Sequence, residues 1–396
     1  MKIINNLLIP ALILSGLSIG IFDNIYFSNY LYLSILLTSF LLIFKKFIKG
    51  DLSINYNLSI ISFIFFTFLC FLSILWSINY DASLERSFTL AQICLYMIVF
   101  YNLLYNESDL IEYLLYGITL VTFFNFFLLF NNLGFSYEVL YFNYRFQGLT
   151  GNSNILSMQM LASILSAIIL MHKNSNQWTM LFCLLSIPLS IQIILMTGSK
   201  KGLFGAILYL ILLFYLWAKS NINLSYVFLI FCLFIIGFGA SFLSFLDNVV
   251  DFNSVYLALE RRITEFIFFE DASTTSRINY IVEGLNYISN RPLFGHGIDT
   301  FSNIFSTYAH NNFIEVAFSV GIIGLIIYYN FYLQIFFSLS SLSNNVNKKI
   351  FFFILLILLF LDLAYVSYYS KLNFLMLTII MSYVGYLNNI EKKIAK

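Results

Sequence analysis

Charge is what this sequence has least of. Asp, Glu, Lys and Arg make up 10% of its 396 residues, against about 25% in soluble domains. Hydrophobic residues make up 60%, so too little polar surface remains to cover a water-facing globule. The net charge of +1 comes without a basic cluster that would grip nucleic acid. Four cysteines, Cys70, Cys94, Cys183 and Cys232, fall inside apolar runs. They read as small buried side chains, and neither a disulfide framework nor a C-x-x-C metal site is present. A small-x-small cleavage site is also missing after the first apolar segment, which is therefore read as a retained span.

Long apolar runs are what the sequence has in excess. A span needs about 20 mostly apolar residues, and about twelve such segments lie near 3–22, 25–44, 58–76, 88–105, 112–132, 154–171, 178–197, 202–218, 224–246, 313–337, 350–369 and 372–389. The expected fold is an all-α, polytopic membrane protein in which residues 1–396 form one integral membrane domain. Connections are short except for a long loop, 247–312, between the ninth and tenth spans.

Orientation follows from lysine and arginine. With a cytoplasmic N-terminus, eleven of the fourteen lysines fall on the inner side. Lys200, Lys201 and Lys371 fall outside with all six arginines: Arg86, Arg145, Arg261, Arg262, Arg277 and Arg291. The expectation is that both termini are cytoplasmic and the long loop is external. Arginine's planar fork suits phosphate and carboxylate, so an outward arginine set points to an anionic ligand reached from outside. For Arg86, Arg261 and Arg262 the favoured role is plainer, contact with headgroups or loop carboxylates.

Within the loop, "STTSRINYIVEGLNYISNRP" predicts an amphipathic helix, with Ile278, Ile281, Val282, Leu285 and Ile288 at helical spacing. Ser273 or Thr274 caps its start and Pro292 marks its end. Arg277 in the first turn is unfavourable beside the positive helix terminus unless an anion binds there. In "RPLFGHGIDTF", Gly295 and Gly297 bracket His296 in a tight turn. The tenth span then opens with "AHNNFIEVAFSVGIIG", where Asn311, Glu315 and Ser319 share one face. Intramembrane carboxylates are functional candidates by default, which singles out Glu315 and Asp362. The outer loops hold no D-x-D pair and the chain no histidine pair at metal-ligand spacing, so neither metal nor cofactor is expected.

Four elements in order, "RFQGLTGNSN", "TGSKKGLFGA", "SRINYIVEGLNYISNRPLFGHGIDTF" and "HNNFIEVAFSVGIIGL", make the sequence resemble the bacterial O-antigen ligase and O-antigen polymerase superfamily. The resemblance covers roughly residues 145–330. It implies a membrane-embedded glycosyltransferase-like fold and glycan transfer, without a metal, from an undecaprenyl-diphosphate-linked oligosaccharide to an acceptor hydroxyl at the outer face of the inner membrane. Carried over by position, Arg277 and Lys200 hold the diphosphate and His310 lies beside the reacting centre; Lys201, Arg145, Arg291 and Asn311 are further candidates for binding the diphosphate or substrate. The family usually has arginine where this chain has Lys200, and Lys201 is expected to share that role.

The chemistry agrees. Fixed cations stabilise charge building on a leaving diphosphate, and a sugar hydroxyl needs a general base, for which histidine is suited. His310 is the favoured base, with Glu315 as its orienter or as the base itself. The bilayer, the donor, the glycan acceptor and a chain-length regulator are the implied partners. Polymerase is preferred to ligase, which transfers the finished glycan to lipid A–core. A transporter or flippase is the reading from another class. Such a protein would carry its charges near the bilayer midplane and often in two related halves, and neither is seen here.

Overall fold

The computed structural model describes residues 2–21, 28–50, 55, 57–105, 108–131, 133–138, 143–173, 176–219, 272–343 and 346–394. The expected ninth span, the 247–271 part of the long loop, Cys232, Arg261 and Arg262 lie outside the described residues. The described chain is mostly helical. Its helices are α1 (Lys2–Ile21), α2 (Ser28–Lys49), α3 (Leu58–Ser73), α4 (Tyr80–Leu104), α5 (Ser108–Phe130), α6 (Ser153–Lys173), α7 (Gln177–Thr197), α8 (Lys200–Lys219), α9 (Ala272–Asn290), α10 (Phe301–Phe305), α11 (Asn312–Ser340), α12 (Val346–Leu361) and α13 (Lys371–Ile394). Among the described residues, five helical segments are long and apolar enough to cross a membrane: Leu58–Trp76, Asp109–Phe130, Ser153–Lys173, Gln177–Thr197 and Asn312–Ser340. Their outward faces support that reading. Along α3, Leu58, Phe65, Phe68 and the following Leu75 are all at least 60% exposed, a stripe suited to lipid and not to water.

The expectation of an all-α chain misses one small element. Strands β1 (Phe135–Glu138) and β2 (Asn143–Phe146) form an antiparallel hairpin with Phe135 opposite Phe146. Phe146 is fully buried and its ring lies 5.2 Å from that of Phe135. An aromatic pair across two strands stabilises a ribbon too short to register as a pattern in the sequence.

Two compact units divide the chain. One comprises Met1–Leu8, Ile35–Ile111 and Ala272–Lys396, and the other Ile9–Ser34 and Glu112–Asp271. In the second unit a buried hydroxyl cluster ties three spans together. Thr122 Oγ1 lies 2.6 Å from both Ser163 Oγ and Ser190 Oγ, linking α5, α6 and α7. Such small polar residues let helices approach closely and bond across a low-dielectric interface. Lys173 at the end of α6 pairs with Glu112 near the start of α5 at 2.8 Å.

In the first unit, α3 lies along α11 through rings. Phe63 meets Phe331 at 5.7 Å and Phe374 of α13 at 4.5 Å, and Phe66 meets Tyr328 at 5.0 Å. Such buried aromatic pairs add about 0.5–1.5 kcal/mol each beyond their area. They make this corner a rigid platform for the polar end of α11.

Candidate active site

The tenth expected span is α11, and it is broken. Val320 (φ −126°) and Gly321 (φ 71°, ψ −174°) leave the helical region in mid-span. A break strands backbone groups that would otherwise bond along the helix, and in a membrane each unmade bond is expensive. The turn 292–297 supplies the missing partners. His296 N–H donates to Phe318 O at 2.9 Å, Gly297 N–H to Ser319 O at 2.9 Å, and Ile322 N–H donates to Pro292 O at 2.8 Å. Side chains are excluded at the seam: a Cβ on Gly321 would stand 2.2 Å from Leu293 O. The "GHG" turn is therefore a backbone latch on α11. His296 is buried within it, its Nε2 2.9 Å from Tyr287 O and its ring 4.8 Å from Phe318. This is the turn role expected for it.

Helix α9 packs on α11 through Gly284, where an added Cβ would lie 2.7 Å from Ile314 Cγ2, and through buried Ile288. The other apolar edge of the predicted stripe, Ile278, Val282 and Leu285, is more than half exposed, as are Leu293 and, in the same unit, Leu75. Because α9 begins at Ala272, Arg277 lies in its second turn and not in the first, as the sequence suggested; it is half-buried and makes no ion pair among the described residues. Arg291 is exposed, with Nη1 3.4 Å from Trp76 O.

The start of α11 holds most of the polar groups. Asn311 caps it, accepting from Ile314 N–H at 3.1 Å, while its Nδ2 donates to Leu363 O at 3.2 Å. Both ends of this side chain are thus used in holding the helix start. Asn312 is the hub of a buried network. Its Nδ2 donates to Asp362 Oδ2 at 3.2 Å and Tyr329 Oη at 3.1 Å, and its Oδ1 accepts from Ser367 N–H at 2.9 Å and Tyr368 N–H at 3.1 Å. Tyr329 and Ser367 hydroxyls complete the shell around Asp362. Asp362 is thus held by neutral donors. This network also explains why α12 stops at Leu361, short of the expected 369. The chain turns there to wrap Asn312.

Glu315 is 2% exposed, and its Oε2 accepts from Ala309 N–H at 2.6 Å. That bond fastens the turn containing His310, whose φ is 56° and whose ring lies 4.1 Å from Tyr308. Among the described residues, the non-glycine positions with positive φ are Asp299, Ser306 and His310, all within twelve residues. Strain of this kind concentrates where a surrounding structure holds a functional geometry.

Asp299, not singled out in the sequence, faces Arg86 of α4. The pair is 2.9 Å apart, and the guanidinium lies 3.9 Å from the centre of the Tyr369 ring. Burial pushes the Asp299 carboxyl above its ordinary value, opposed by the Arg86 charge and hydrogen bond. The charges of Arg86 and Asp299 both reach Glu315 and the Tyr368 hydroxyl. Arg86 thus meets a loop carboxylate, as expected. What the sequence did not signal is that this carboxylate belongs to the same polar corner as Glu315.

The other expected site residues lie in the second unit, where the first two motifs meet. Arg145 Nε donates to Thr197 O at 2.9 Å, and Ser199 Oγ donates to Asn154 Oδ1 at 3.0 Å. Gly202 packs so closely on α6 that a Cβ would lie 2.7 Å from Ser157 Cβ. Lys200 opens α8 half-buried and Lys201 is buried. The four motifs therefore assemble as two pairs, one in each unit.

These features define a multi-pass helical membrane protein with a polar corner built at one broken span. Residues 184–329 match the family model described as O-antigen ligase, in line with the superfamily that the motifs resemble. Members are glycosyltransferase-like enzymes acting on lipid-linked glycans. No curated protein matches the chain.

Proposed function

We propose that the chain is an O-antigen polymerase, or its counterpart for a related surface polysaccharide, joining repeat units carried on undecaprenyl diphosphate. It works at the outer face of the bacterial inner membrane, with both termini cytoplasmic. An acceptor hydroxyl attacks the anomeric carbon of the donor. The bond from that carbon to the diphosphate oxygen breaks with inversion, the hydroxyl proton passes to the base, and the lipid diphosphate leaves with the bonding electrons. His310 is the base, and Glu315 holds the turn that presents it. Arg277, Arg291, Lys200, Lys201 and Arg145 are the diphosphate-binding cations, with Asn311 fixing the start of the helix that carries the site.

The observation that carries this reading is the fastening of the strained His310 turn by a buried carboxylate, inside the segment matching the family. A merely structural turn at a membrane surface has no need of a carboxylate withdrawn from water. The test is transfer by purified protein given the lipid-linked repeat unit, with and without lipid A–core, and products resolved by gel. A ladder from the repeat unit alone supports polymerase. Transfer only with lipid A–core makes the chain a ligase, the reading that the description of the matching family favours. No transfer under either condition overturns both.

A further inference from the structure

The Arg86–Asp299 pair sits in surroundings that do not suit the leaving diphosphate. Arg86 brings one positive charge, Asp299 and Glu315 bring two carboxylates, and the Tyr368 and Tyr369 rings close the corner. Arg86 is already paired by Asp299, which leaves the corner little net positive charge to attract a dianion, while its oxygens and N–H groups suit hydroxyls. Capacity for hydrogen bonding is also left over. Arg86 Nε and Tyr368 Oη are buried with no partner, one oxygen of Glu315 is taken by Ala309, and one of Asp299 by Arg86. Buried polar atoms are rarely left unsatisfied unless something else completes them. The Arg86 and Asp299 side chains are 24% and 25% exposed, so the corner is open to the outside at this pair. Asp299 is also one of the strained residues, held at φ 61°.

We propose that Arg86 and Asp299 bind the acceptor sugar, Asp299 taking one of its hydroxyls and Arg86 a ring or hydroxyl oxygen, so that the acceptor lies beside the His310 turn. The inference rests on the glycosyltransferase reading and names which substrate this corner serves. Cations expected to hold the donor diphosphate lie elsewhere in the chain, at Arg277, Arg291, Lys200, Lys201 and Arg145. Donor and acceptor are thereby assigned to different residues.

The experiment compares wild type with Asp299→Asn, Arg86→Lys and the exchanged pair Arg86→Asp with Asp299→Arg. Three quantities are read: KM for the lipid-free repeat-unit oligosaccharide as acceptor, inhibition by inorganic pyrophosphate as a probe of the diphosphate site, and Tm. Losing one charged hydrogen bond corresponds to about a ten- to hundredfold rise in acceptor KM, with pyrophosphate inhibition unchanged. The exchanged pair recovers Tm and not acceptor KM, because an ion pair survives exchange while a sugar site does not. Recovery of acceptor KM by the exchange would overturn the proposal, leaving a structural pair. Loss of pyrophosphate inhibition in Arg86→Lys would also overturn it, making Arg86 a donor residue. Saturation-transfer NMR with the same oligosaccharide needs no turnover and separates this inference from the assigned reaction. Binding that Asp299→Asn abolishes supports the site even if transfer is absent, and binding untouched by both single variants refutes it.

Discussion

Gly321→Ala is the sharpest test of the broken helix. The substituted Cβ would meet Leu293 O at 2.2 Å and Phe294 N at 2.5 Å, both backbone atoms that cannot swing aside. The turn 292–297 must therefore lift from α11, giving up the three latch bonds at 2.8–2.9 Å. At about 1 kcal/mol net for each, the latch loses about 3 kcal/mol, apart from the backbone cost of a side chain at φ 71° and ψ −174°, a region that is essentially glycine's. Gly50→Ala is the control for a positive-φ glycine (φ 68°) whose added carbon meets nothing within 4 Å. Hydrogen exchange in detergent micelles reads the difference. The His296, Gly297 and Ile322 amides should exchange about a hundredfold faster in Gly321→Ala and at the wild-type rate in Gly50→Ala. Trp76 offers a second reading, because its Nε1 donates to Phe294 O at 3.1 Å. Its emission, taken with Trp178 and Trp217 replaced by Phe, should report the turn leaving. Equal exchange in the two alanine variants would refute the latch.

Other outcomes follow from the same geometry. Glu315→Gln keeps an oxygen for the Ala309 amide and should retain more transfer activity than Glu315→Ala; equal loss in both would make Glu315 the base itself. His310→Ala should lower kcat by about 10²–10⁴-fold with protein levels unchanged, and intact polymer formation would remove His310 from the chemistry. Asn312→Ala strands four partners of a buried network and should cost about 2–4 kcal/mol in denaturant unfolding. Because the Asp299 carboxyl is raised on folding, the folded chain holds that proton more tightly than the unfolded one. Its contribution to stability is then greatest at acid pH and is lost as pH rises through the folded value. The pH dependence of Tm should flatten in Asp299→Asn.

The sequence displayed the membrane class, the motif order and the amphipathic α9 because each leaves a periodic or compositional trace. Glu315 stood out as a carboxylate in an apolar run. Asn312 did not, since an asparagine beside a helix cap looks like any other, and its worth lies in reaching Asp362 and Ser367, some fifty residues away. Asp299 was hidden for the same reason: its partner Arg86 belongs to a distant helix, and pairing across more than two hundred residues writes nothing local. The break in α11 was half visible. Gly321 could be seen in an apolar run, but not that it is there for its backbone conformation and for the turn lying against it. The β-hairpin was missed because four-residue strands fall below any usable period.

The break also bears on how the chain is made. From Ile322 to Ser340, α11 has 19 residues, about 28 Å at 1.5 Å each, nearly the thickness of the hydrocarbon layer. That half is sufficient as a stop-transfer segment on its own. The polar cap from Asn312 to Ser319 is then not needed to fill the hydrocarbon layer. Changes in the cap should thus alter the polar corner while leaving the insertion of the span alone.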